Sequence, residues 1–98
     1  MYGLMGSFKA AEGRRPELVQ LLLAESGALP GCLSYVVAED PADDVTLWVT
    51  EVWTDAAAHK ASLQLPAVKA VIAQAMPLIA AFGEHRETRP VGGHGLAD

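Results

Sequence analysis

Three residues close together in the chain could do proton chemistry: Glu51, Trp53 and His59. In an alternating strand Glu51 and Trp53 project from one face. A histidine six residues further on, one turn into a following helix, shares a stripe with Leu63 at i+4 and points toward the same sheet. An imidazole with an ordinary pKa of about 6.5 can remove a phenolic proton near neutral pH. An indole can stack on a flat ring and donate its N–H. Each residue also has a packing role open to it: a tryptophan on a strand facing helices is commonly core, and a histidine at a helix start is commonly half-buried filler. Glu51 sits among Val49 and Trp53, where a carboxylate without a partner is costly to bury. Arg86 or Arg89 on the last strand, or a backbone amide of a second subunit, would serve, so a structural salt bridge is the expected role. Tyr35 could offer its hydroxyl to a ligand from a hairpin strand, and Met5, Met76 and Phe82 are adaptable apolar groups that can line a pocket between helix and sheet or fill a core.

No comparable signal exists for a metal. Cys32 is the single cysteine, so no internal disulfide can form, and CxxC and HExxH spacings are absent. His85 alternates with charged residues and His94 lies in a glycine-rich tail, so spacing assigns neither a role. Lys and Arg total 7 against 12 Asp and Glu, a net charge of −5, which repels phosphate backbones and argues against nucleic acid. No apolar run approaches the roughly 20 residues of a membrane span, and MYGLMGSFKAAEGRR lacks a signal peptide's order of segments. A cytoplasmic protein is expected.

The elements that must position these residues follow from patterning. The 98 residues, 51% hydrophobic and 19% charged, suit one domain over 1–91 with a flexible tail over 92–98. Tyr2 to Lys9 alternates as a first strand. Pro16 opens an amphipathic helix over about 15–28. Pro30-Gly31 turns the chain into a second strand over Cys32–Ala38, and the polar turn Asp40-Pro41-Ala42-Asp43-Asp44 leads to a third over Val45–Thr54. Asp55 caps a helix that is interrupted near Pro66, resumes to Ala75, and is kinked or restarted at Pro77. Its last apolar turn is expected to end at Phe82-Gly83, before a short edge strand over Glu84–Val91. The order β-α-β-β-α-β predicts an α+β, ferredoxin-like domain: a four-stranded antiparallel sheet with helices on one face.

Both faces of the third strand carry large apolar groups, Leu47, Val49 and Trp53 on one and Trp48 and Val52 on the other. Helices cover only one face, so the other needs a partner, and the same face of a second copy gives a two-fold dimer.

Pro30-Gly31-Cys32 with Tyr35, then Glu51-Val52-Trp53 with Asp55 and His59 behind it, resembles the antibiotic biosynthesis monooxygenase family over about residues 2–85. The resemblance implies a dimeric α+β barrel and activities of the family's kinds: cofactor-free oxygenation of polycyclic phenols, quinol oxidation or haem degradation. Many oxygenases and haem degraders of the family carry an asparagine on the pocket side of strand one, where this chain reads Leu4-Met5-Gly6-Ser7-Phe8. The haem degraders place an iron-ligating histidine where this chain has Val68-Lys69-Ala70-Val71-Ile72, so haem is not expected. The function expected is oxidation of a small aromatic phenol or quinol by O2 without a cofactor, Trp53 orienting the ring and His59 deprotonating it. The other readings are a non-catalytic dimeric module for a small hydrophobic ligand and a polyketide-type cyclase or isomerase.

Overall fold

The computed structural model describes residues 1–24 and 29–96. The chain runs β1 (Tyr2–Ala10), α1 (Arg15–Ala24), β2 (Cys32–Glu39), β3 (Thr46–Trp53), α2 (Ala56–Ser62), α3 (Pro66–Ala75), a 3-10 turn (Met76–Leu78) and β4 (Ile79–Thr88). One antiparallel sheet holds the strands in the order β2-β3-β1-β4. This is the ferredoxin-like arrangement, with the helices on one face.

The end of the helix expected over 15–28, and the last two residues of the expected tail, lie outside the described residues. Asp55 caps α2 as predicted, its side chain accepting the Ala58 N–H at 2.7 Å. Pro66 begins α3 in the first turn, where its missing N–H costs nothing.

The C-terminal third corrects the sequence reading. The segment Ile79-Ala80-Ala81-Phe82-Gly83 is the first half of a ten-residue strand, not a last helical turn. Pro77 ends the helical run, and the free edge of β1 supplies hydrogen-bonding partners along Ala10, Lys9 and Phe8, which face Ile79, Ala81 and Phe82. Edge pairing overrides the helical propensity of a short alanine-rich stretch. A bulge interrupts β4 between the pairs Gly6–His85 and Phe8–Phe82. There Ser7 Oγ accepts the Glu84 N–H at 2.9 Å, so the displaced backbone donor stays satisfied.

Alternation sorts the sheet into two faces. Leu4, Gly6 and Phe8 stand in register with Glu51, Val49 and Leu47 on the helix side, while Met5 and Ser7 oppose Thr50 and Trp48 on the other. The packed core sits at one end of the helix side, built from Ala10, Leu18, Leu47, Ala75 and Leu78 with Phe8, Val19, Leu21, Leu22, Val37 and Ile79 against them. Arg15 fastens α1 to the β2–β3 hairpin: its Nη1 donates to the carbonyls of Asp43 (2.9 Å), Thr46 (3.3 Å) and Asp40 (3.4 Å). Among the described residues no helix is long and apolar enough to cross a membrane.

Candidate functional site

At the other end of the helix side the packing loosens into two adjoining cavities. The first, about 140 Å³, lies between β3 and the helices and is lined by Leu22, Leu29, Tyr35, Glu51, Trp53, His59, Ser62, Leu63, Val68, Val71 and Ile72. The second, about 230 Å³, continues toward β4 past Leu4, Gly6, Phe8, Val49, Phe82 and His85. Leu22, Tyr35 and Glu51 line both, so the two form one hollow with Glu51 at the junction.

Local structure explains how α2 comes to lie over this hollow. Gly31 has φ +80°, a backbone state a side-chain-bearing residue rarely adopts, and a Cβ there would stand 2.7 Å from the Ala58 Cβ. Its carbonyl accepts the Thr54 N–H at 2.8 Å, tying the start of β2 to the end of β3. The Pro-Gly-Cys turn therefore brings α2 down against the sheet end, and His59 with it.

His59 lies between two rings. Its imidazole is 5.3 Å from the Trp53 ring, edge to face, and 5.7 Å from the Tyr2 ring. Tyr2 is held in turn by its hydroxyl, which donates to Glu87 Oε1 at 2.6 Å across β1 and β4; that bond raises the pKa of the phenol above its usual value. The histidine thus borders the cavity on a rigid aromatic support.

Trp53 is 1% exposed, and its indole N–H is already used: it donates to Glu51 Oε1 at 3.0 Å. The ring forms a wall of the hollow, and its donor orients Glu51. This replaces the salt bridge expected for Glu51. Arg86 stands opposite Met5, on the other face of the sheet, with Glu84 Oε1 3.9 Å from its guanidinium. Glu51 instead faces Leu4 on one neighbour and Tyr35 on the other. The Tyr35 hydroxyl is pushed up to about 12, by burial first, then by the negative charge of Glu51 and last by Cys32 once its thiol ionises, so it stays a neutral donor.

The sequence-predicted residues divide accordingly. Tyr35, Glu51, Trp53 and His59 come together. Phe82 borders the second cavity, edge-on to Phe8 at 6.4 Å between ring centres and 68% exposed. Met5 also borders that cavity, from an outward position 43% exposed. Met76, half exposed in the 3-10 turn, lies outside both cavities. His85, to which spacing assigned nothing, faces the hollow opposite Gly6. Sequence reasoning missed Gly6, Leu22 and the α3 wall of Val68, Val71 and Ile72. The i, i+3, i+4 spacing of that wall was a readable signal for a helix face turned inward. Among the described residues no three His, Cys, Asp or Glu side chains converge as a metal site.

The model of the antibiotic biosynthesis monooxygenases matches residues 1–74. No curated protein matches the chain. Among solved structures, a protein of Chloroflexus aurantiacus named as a candidate antibiotic biosynthesis monooxygenase superposes with a TM-score of 0.95 at 53% identity, covering 98% of each chain. A second so named, from Deinococcus radiodurans, gives 0.79 at 24% identity over 100% of each chain. A variant of SnoaB, a cofactor-independent oxygenase from Streptomyces nogalater, gives 0.78 at 17% identity over 95% of each chain, a likeness of fold.

Proposed function

The chain belongs to the antibiotic biosynthesis monooxygenase family, and from that premise we propose that it is a cofactor-independent monooxygenase that oxidises a small aromatic phenol or quinol with O2. The observation that carries this reading is the hollow: aliphatic on its helix wall, aromatic at its end, with His59, Tyr35 and Glu51 as its ionisable groups in the first cavity.

Ground-state O2 reacts slowly with closed-shell molecules, so the substrate must become an electron-rich anion able to pass an electron to it. His59 is the proposed base. The phenolic O–H bond breaks, its proton goes to the imidazole, and the pair left on oxygen delocalises into the ring. The substrate supplies all four electrons for the reduction of O2: one oxygen atom becomes a carbonyl of the product quinone as the ring C–H bond at that carbon breaks, and the other takes up the two released protons and leaves as water. The chain's part is to exclude water behind Leu22, Val68, Val71 and Ile72, to hold the ring against Trp53, and to keep His59 in place between Tyr2 and Trp53.

The working unit is proposed to be a homodimer formed through the sheet face that carries no helices, with a second copy covering Met5, Val36 and Val52.

Oxygen uptake with a dihydroxynaphthalene or an anthrone, in the presence of a chelator and without added flavin, tests the reading. His59→Ala should lower kcat/KM by roughly a hundredfold. Equal rates for wild type and His59→Ala would remove His59 as the base. Product formed at the same rate without oxygen would show an enolising isomerase instead.

A further inference from the structure

Glu51 is anchored at one oxygen and open at the other. Oε1 takes the indole N–H of Trp53 at 3.0 Å. That indole cannot swing away, being 1% exposed and packed edge-on against His59 at 5.3 Å. Oε2 receives no side-chain hydrogen bond from any described residue, and Glu51 lines both halves of the hollow. No lysine or arginine lines either cavity among the described residues; the second adds a further acid, Glu84. The strand neighbours on its face, Leu4 and Tyr35, supply no cation.

From this geometry we infer that Glu51 sets the ligand specificity of the hollow: its free oxygen accepts a hydrogen bond from a neutral aromatic hydroxyl, and its charge turns carboxylate-bearing aromatics away. The inference deepens the oxygenase reading and rests on it for the hollow being the substrate site. A ligand filling the hollow expels the water that solvates the carboxylate. A ligand hydroxyl replaces that bond. An aromatic ether leaves a charged acceptor without a donor, which costs more than the bond itself contributes. A carboxylate brings a second negative charge beside the first, with no lysine or arginine lining the hollow to offset it. A site built around such a polar contact rejects analogues lacking the group far more strongly than an apolar pocket rejects a changed methyl.

Calorimetric titration under nitrogen, with no turnover, compares 1-naphthol, 1-methoxynaphthalene and 1-naphthoate. Wild type should bind the naphthol at least about tenfold more tightly than the ether, the range of a charge-assisted hydrogen bond, and should not bind the naphthoate. In Glu51→Gln the amide oxygen can still accept the Trp53 N–H, while the amide N–H faces the hollow. The preference for naphthol over ether should then fall to near unity and naphthoate should bind. A merely structural glutamate would weaken all three ligands together and leave their ratios unmoved. Unchanged ratios in Glu51→Gln, or no discrimination by wild type, would overturn the inference. If none of the three binds wild type, the hollow is not an aromatic site and both readings fall. If naphthol binds selectively but no O2 is consumed, the specificity role stands and the oxygenase reading fails.

Discussion

At the scale of single residues, one glycine decides how much room there is. Gly6 faces the hollow from β1, opposite Val49 on one side and His85 on the other. A Cβ there would meet only the Glu84 carbonyl, at 3.4 Å, within 4 Å. The position therefore tolerates a side chain sterically, and that side chain must enter the second cavity of about 230 Å³. Gly6→Leu should leave the melting temperature close to wild type, a change within about 1 kcal/mol, and abolish 1-naphthol binding in the same titration. Retained binding would place the ligand wholly in the first cavity. The same scale explains what was readable beforehand. Trp53, His59, Tyr35 and Glu51 stood out in the chain because indole, imidazole, phenol and carboxylate are chemically distinctive at readable spacing. The Trp53–Glu51 bond did not, because i, i+2 neighbours on a strand point the same way without specifying which side-chain atoms meet. Gly6 carried no signal of its own in the sequence, and its value as empty space needed the opposing strands.

At the scale of elements, the strands and helices were legible from alternation, proline and glycine. The exception was β4, whose first half reads as a helix until the open edge of β1 is seen. The hairpin between β2 and β3 shows another device invisible in sequence. Asp43 Oδ1 accepts the N–H groups of Val45 (2.9 Å) and Thr46 (2.7 Å), and Asp40 Oδ2 accepts the Trp48 indole N–H at 3.0 Å. The backbone N–H of Thr46 is the main cause holding the Asp43 carboxyl below its usual range, and the Trp48 indole does the same for Asp40. A carboxyl whose folded pKa is depressed stabilises the fold fully above its unfolded pKa and loses that contribution as pH falls through the folded value. Stability should therefore decline on acidification below about pH 4. Urea melts across that range should show a shallower acid limb for Asp43→Asn than for wild type. Identical limbs would assign the acid sensitivity to other carboxylates.

At the scale of the whole molecule, the two sheet faces differ in how they are closed. Val36 is 53% and Met5 43% exposed on the face without helices, with Trp48 and Val52 half-buried beside them. The proposed dimer covers this apolar sheet face with the same face of a second copy. Sedimentation at micromolar concentration should give twice the chain mass for wild type, and the mass of a single chain for Met5→Glu with Val36→Glu, whose carboxylates would be buried without partners. Single chains for wild type would refute the dimer. The division along the other face has a different consequence. Leu18, Leu47 and Leu78 pack the core at one end, and the α3 wall of the hollow, Val68, Val71 and Ile72, stands outside that core. Residues on that helix wall can then be exchanged with less risk of unfolding than the core leucines, so the shape of the hollow can change while the outline of the molecule scarcely does.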